Sequence, residues 1–466
     1  MSNASGPARV EGLDALRGFA IITMVLSGIV PFGVLPDWMY HAQKPPPTHV
    51  FDPTLPGLTW VDLVFPLFLF AMGAAFPLAL RRRVDTDGPL RVTGQILGRG
   101  ARLVAFAIVL QHLRPWAIES DPGTAGWLSA LLGFALLFAV YWRVPPDWPS
   151  WRRWLLRGIG WTGIVLLLTQ LSYADGSGFR LGRSDIILLV LANMAVFGSL
   201  IWWATRRRPG WRMGIVALVG ALKIASAEPG WVQDLWTWTP AEWLFRMDFL
   251  KYLILVLPGT LVGERLASAP DGEAAEGSGW REALVMAVPV ALTVALLTGL
   301  QERWMALALG ATGVAGIALL VGLRNRTEGR QGLWTWLVRQ GLFWVALGLA
   351  LEPFQGGIRK DPATLSYLAL TAGVAMLLLA SLDAAMRHAA GRRALALLSA
   401  SGQNPMIAYV AMANLIFPVL HLTGLFDRIA ALTPGPWPGV TRALFYTLLL
   451  ALLTAALTRR KIVWRT

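Results

Sequence analysis

Apolar runs of about twenty residues recur along the whole chain, separated by short polar segments rich in Gly, Pro and Arg. A helix rises ~1.5 Å per residue, so each run is long enough to cross a hydrocarbon layer of ~30 Å. By length and flanking residues the runs fall at 13–35, 60–80, 100–118, 124–142, 155–172, 185–204, 211–227, 245–266, 281–299, 303–322, 333–352, 364–385, 403–421 and 440–458. The run at 211–227 is short and contains Lys223. Hardly any of them leaves a polar face over for water. The predicted class is therefore all-α: a polytopic helical integral membrane protein of roughly 10–14 transmembrane helices.

Composition agrees with this pattern. The 466 residues are 55% hydrophobic and 15% charged, with a mean hydropathy of +0.55. A soluble protein of this length needs far more polar surface. The formal net charge of +14 would point to nucleic acid in a soluble protein, but the arginines cluster in alternate loops. Arg81, Arg82 and Arg83, Arg152 and Arg153, Arg206, Arg207 and Arg208, Arg392 and Arg393, and Arg459, Arg460 and Lys461 form those clusters. This is the positive-inside bias, and it predicts both termini in the cytoplasm and no nucleic-acid partner. Asp14 and Arg17 lie close to the first apolar run with no small-residue cleavage site after it, so that run is expected to be a retained span rather than a signal peptide. Cysteine is absent, and the five histidines show no metal-binding spacing. Neither a disulfide nor a metal centre is expected.

On this topology the loop with His41 and His49 is outside, as are the segments around 172–185, the Trp-rich 226–246 and 353–364. The 23 tryptophans sit mostly near run ends, as membrane-interface residues do. Residues 268–279, SAPDGEAAEGSG, have the composition of a flexible linker. No internal repeat is evident, and residues 1–466 read as one domain.

Several polar residues need a reason to stand where they do. Asp14 and Arg17, three apart, share a helical face; they form either a structural ion pair or part of a substrate site. Asp62 opens the run LVFPLFLF behind Thr59. There a carboxylate favours the positive end of the helix dipole, and Thr59 suits an N-cap. A second reading pairs Asp62 with His49, since a carboxylate on one imidazole nitrogen fixes the tautomer and raises the basicity of the other. Prolines at 45, 46, 47, 53 and 56 restrict the loop that would hold His49 over the helix end. Gln403 and Asn404, in LSASGQNPMIAYV, can offer amide donors to an oxyanion or cap a helix. Arg359, Lys360 and Asp361 form a charged outer loop where basic residues run against the orientation rule. Gln111, His112 and Arg114 cluster at the outer end of the third run, as interface residues or substrate contacts.

GLDALRGFAIITMVL, then a histidine loop, then GLTWVDLVFPLFLFAMGAAFPLAL resembles the transmembrane acyltransferases related to heparan-alpha-glucosaminide N-acetyltransferase, and in particular uncharacterised bacterial relatives. GIRKDPATLSYLALTAGVAMLLL and GQNPMIAYV fit the same family more weakly, and the middle third of the chain carries little of it. The core of the resemblance is the block 9–80. The resemblance implies transfer of acetyl from cytosolic acetyl-CoA, as donor substrate, to a sugar or glycan acceptor across a bacterial inner membrane. It implies a catalytic histidine before the GLT–DLVFP block; His49 is the better match and His41 the rival, with Asp62 orienting whichever is used. Outer loops 36–59, 226–246 and 353–364 would surround the acceptor. Where the family has a catalytic asparagine late in the first span, this chain has Ser27 and Gly28, which bears on the acceptor. Inside arginines such as Arg82 and Arg83 can meet CoA phosphates. Acetyl-CoA, an acceptor and the lipid bilayer are the expected partners, with a second copy of the chain as a further candidate. The competing class is a transporter without covalent chemistry. Acyl-CoA consumption that requires a histidine would separate the two.

Overall fold

The structure, a computed structural model, describes residues 10–269, 279–324 and 328–466. Most of the expected linker at 268–279 lies outside the described residues. The chain is helical throughout: α1 Glu11–Ser27, α2 Trp60–Thr86, α3 Pro89–His112, α4 Thr124–Tyr141, α5 Ser150–Gln170, α6 Ile186–Thr205, α7 Gly210–Ala225 and α8 Leu253–Ser268. There follow α9 Gly279–Gln301, α10 Met305–Gly322, α11 Gly329–Leu351, α12 Leu365–Ala385, α13 Ala396–Gln403, α14 Pro405–Ala411, α15 Phe417–Leu422 and α16 Pro436–Arg459. Among the described residues, 10 helical segments are long and apolar enough to span a membrane. The remaining four expected runs are occupied by α1, α5, α7 and α8; three of these have 16 or 17 residues, and α5 opens on Arg152 and Arg153.

Three runs differ from expectation. The first was expected at 13–35, but α1 ends at Ser27. The third was expected at 100–118, but α3 begins at Pro89 behind Gly88 and ends at His112. Proline is well suited to the first turn of a helix. At the other end Pro115 disfavours helical geometry in Arg114, whose ψ is 129°. The start at Pro89 adds Arg91 and Arg99 to a spanning helix that already held Arg102. The thirteenth run is broken. Asn404 separates α13 from α14, and a π turn at Met412–Ile416 joins α14 to α15. Pro418 has no N–H for the carbonyl four residues back, so the ladder loosens there.

Helices are held together chiefly by close backbone approach at small residues, the usual device where lipid removes the hydrophobic drive for helix association. A Cβ on Gly259 would lie 2.4 Å from the Phe70 carbonyl oxygen and one on Gly73 2.2 Å from that of Val256, so α2 and α8 lie backbone to backbone. In the same way a Cβ on Gly18 would meet the Leu398 carbonyl oxygen at 1.7 Å, and one on Gly402 that of Asp14 at 1.8 Å. The α1–α13 contact is thus built from two reciprocal glycines. It fixes where Arg17 and Gln403 stand.

Any side chain at Gly402 must force these helices apart. Gly402→Val is predicted to cost about 3 kcal/mol or more, read as a fall in the thermal unfolding midpoint in detergent. Gly310→Ala, where nothing lies within 4 Å of the added carbon, is predicted to leave the midpoint unchanged.

Candidate active site

Asp62 occupies the third position of α2 and is completely buried. Its Oδ2 accepts the backbone N–H of Thr59 at 3.0 Å and that of Ala42 at 3.2 Å. The first bond is the reach-back half of a capping box, so the sequence reading of Asp62 as helix-start chemistry holds locally. The second ties the loop after α1 to the same carboxylate. Thr59 Oγ1 donates to the Tyr40 carbonyl at 2.6 Å, and Tyr367 of α12 donates its hydroxyl to the Asp62 backbone carbonyl at 2.7 Å.

These bonds place His41, not His49, against Asp62. His41 Nε2 lies 3.5 Å from Asp62 Oδ1 and 3.5 Å from Asp361 Oδ2. Its Nδ1 accepts the Gln43 backbone N–H at 3.0 Å. A nitrogen that accepts must carry the lone pair, so the neutral ring bears its proton on Nε2, between the two carboxylates. Lys360 Nζ is 3.9 Å from Asp62 Oδ1. That oxygen is buried and makes no hydrogen bond among the described residues. The result is a compact group of two carboxylates, one imidazole and one ammonium at one end of α2.

The loop that supplies Lys360 and Asp361 is docked by Gln43. Its Oε1 accepts the Asp361 N–H at 2.9 Å and its Nε2 donates to the Asp361 and Pro53 carbonyls. The Gly57 N–H adds a bond to the Ile358 carbonyl at 2.9 Å. Loops 36–59 and 353–364 are therefore one hydrogen-bonded unit. Loop 226–246 ties instead to α6, where Asn193 donates to the Leu244 carbonyl. The hydrogen bond from His41 holds the Asp361 carboxyl below its ordinary value, with Lys360 and Lys251 pulling the same way.

His49 is engaged elsewhere. Its φ is 52°, its ring lies 4.4 Å from Phe32 and edge-on to Tyr40 at 4.5 Å, Nε2 accepts the Gly33 N–H and Nδ1 faces the Lys44 carbonyl. Both nitrogens are occupied in packing the loop, and none of the bonds to Asp62 involves it. The other sequence candidates divide. Arg17 pairs with Asp14 at 3.3 Å. Arg114 pairs with Asp185 and bonds Tyr409. His112 is fully buried, with Nδ1 on the Ile108 carbonyl and Nε2 accepting from the Arg180 N–H. Gln403 donates to Ser399. The Asn404 amide is spent on residues 462 and 464.

The opposite end of α2 borders a cavity of about 890 Å³. Arg17 of α1, Arg83 of α2, Arg91, Arg99 and Arg102 of α3 and Arg465 line it, and among the described residues no Asp or Glu does. Asp14 and Asp87 reach Arg17 and Arg91 from outside the lining. The lining residues of α2 run from Phe68 to Arg83, about 22 Å of helix. Phe68 in turn stands about 9 Å along the helix from Asp62. Such a cavity fits a long, strongly anionic molecule whose charge lies at one end. The arginines of α3 and the partnership of Gln43 with Asp361 were missed in the sequence. The signal for the first was the repeat of Arg, Gly and Gln at helical spacing through 91–102.

The fold and its buried polar groups define a polytopic helical membrane protein with an ionisable cluster at one end of a spanning helix and a basic cavity toward the other. Residues 9–266 match the family described as "Domain of unknown function (DUF5009)". The match takes in more than half of the chain, which therefore belongs to that family. The chain is also 27% identical over 188 residues to the human (Homo sapiens) heparan-alpha-glucosaminide N-acetyltransferase, a match that covers 35% of this chain. It spans only 26% of that protein's length.

Asp62→Ala leaves two buried N–H groups unpaired and is predicted to cost about 2–4 kcal/mol, whereas Asp62→Asn keeps an acceptor and costs less. Thermal unfolding of the two variants separates them. Asp361 has a lowered folded pKa, so its contribution is present above its unfolded value of 3.8 and is lost as pH falls through the folded value. The midpoint difference between wild type and Asp361→Asn is predicted to be largest near neutral pH and to close below about pH 4.

Proposed function

We propose that the protein is a membrane acyltransferase that takes an acetyl group from acetyl-CoA and passes it to a sugar or glycan acceptor on the other side of a bacterial cytoplasmic membrane. The observation that carries this reading is the layout of α2, with Asp62 against His41 at one end and Arg83 in the basic cavity toward the other. The distant similarity to a transmembrane N-acetyltransferase supports the reaction class. The positive-inside rule places the cavity mouth at the cytosol, where acyl-CoA is made.

In this reading the cavity arginines hold the CoA phosphates and the apolar faces of α1 and α2 guide its thin arm toward the His41 end. His41 acts through Nδ1. The acceptor N–H or O–H displaces the Gln43 N–H from Nδ1 and gives up its proton there as its nitrogen or oxygen attacks the thioester carbonyl. Asp62 and Asp361 stabilise the imidazolium that results. Lys360 supplies positive charge to the developing oxyanion. When the C–S bond breaks, the imidazolium returns its proton to the departing thiolate, so acetylated acceptor and CoA thiol are formed and His41 is neutral again. His41 as an acyl carrier uses the same nitrogen and the same carboxylates.

Purified protein given radiolabelled acetyl-CoA and a mixture of amino sugars and glycans is predicted to transfer label. His41→Ala is predicted to lower the rate by at least about 10²-fold and His49→Ala to leave it near wild type. A rate that depends on His49 and not on His41 moves the site. A folded wild type that neither binds CoA nor consumes its acetyl ester removes the acyltransferase reading and favours a transporter.

A further inference from the structure

The segment after α16 is anchored with unusual thoroughness for a few residues beyond a helix end. Lys461 turns the chain with a φ of 60°. Residues 462–465 then run extended and are hydrogen-bonded along both edges. On one edge Asn404, fully buried at the break between α13 and α14, donates through Nδ2 to the Ile462 carbonyl at 2.9 Å and accepts through Oδ1 from the Trp464 N–H at 3.2 Å. On the other edge the Val463 carbonyl accepts from the Arg143 N–H at 2.8 Å, and the Arg465 N–H donates to the Tyr141 carbonyl at 2.9 Å. The Trp464 indole is buried among Phe106, Phe134, Phe138 and Tyr141.

All this holds one more guanidinium where positive charge is already concentrated. Trp464, Arg465 and Thr466 line the same basic cavity, and Arg465 acts electrostatically on Arg99 together with Arg17, Arg83 and Arg102. The buried Trp464 indole N–H has no acceptor among the described residues. An anchored segment that sets Arg465 in the lining of a cavity already lined by Arg17, Arg83, Arg91, Arg99 and Arg102 makes sense as part of an anion-binding wall.

We infer that residues 462–466 form a wall of the donor cavity, that Arg465 is a binding residue for the phosphates of an acyl-CoA nucleotide, and that Asn404 is the positioning residue that clasps this wall in place. The inference rests on the acyl-CoA reading of the cavity. It gives Asn404 a task different from an oxyanion donor, since both ends of its amide are used by the strand.

The test is CoA binding to the full chain in detergent by titration calorimetry, with pantetheine, which lacks the nucleotide phosphates, as a competitor probe. Arg465→Ala is predicted to weaken CoA about tenfold, to leave pantetheine and the thermal midpoint unchanged, and to be largely restored in Arg465→Lys. Asn404→Ala is predicted to weaken CoA in the same direction with the pantetheine value again unmoved. Two results overturn the inference while leaving the cavity assignment standing: CoA affinity unchanged in both variants, or equal loss for CoA and pantetheine together with a lower midpoint. If wild type binds no CoA, the acyl-CoA reading fails and this inference with it.

Discussion

A carboxylate with no exposed surface, in the first turn of a helix whose following residues are almost all apolar, is the constraint on which the candidate site depends. Asp62 meets the cost of its burial by accepting two backbone N–H groups and by facing an imidazole and an ammonium. Each partner comes from a different part of the chain: the loop after α1, the start of α2 and the loop before α12. One buried charge therefore draws three segments to a single point. The same helix continues past the basic cavity, so the two halves of the proposed chemistry share a rigid axis.

That axis also explains why the glycines matter. Backbone-close contacts of α2 with α8 and of α1 with α13 leave little room for these helices to slide. The polar groups at their ends are thus held by packing as well as by hydrogen bonds. The 462–466 segment extends the same economy to the far end of the cavity, where the amide of Asn404 bonds the backbone of residues 462 and 464 and Arg465 is part of the cavity lining.

The sequence made the membrane class, most of the spans, the helix-start role of Asp62 and the Asp14–Arg17 pair legible, because each rests on local spacing. Which of His41 and His49 stands against Asp62 was not a local matter. It turns on the Ala42 N–H bonding Asp62 20 positions away and on Gln43 bonding Asp361 318 positions away, and a proline-rich loop gives no periodicity from which such a register can be read. The family resemblance favoured His49 as the match to the histidine before the GLT–DLVFP block, while the chain folds so that His41 stands against Asp62. The arginine face of α3 escaped for a different reason. Hydropathy places a span where charge is low, and a helix that begins among arginines was read as starting after Arg91 and Arg99. Asn404 was legible as an amide at a helix entry; its burial at a helix break and its partners beyond α16 were not.

The most direct measurement uses proteoliposomes with acetyl-CoA enclosed on the arginine-rich side of the protein and a panel of amino sugars on the histidine side. The account predicts that acetylated sugar accumulates outside while CoA thiol accumulates within, and that both cease in His41→Ala. Movement of unmodified sugar across the membrane without loss of acetyl-CoA would contradict it.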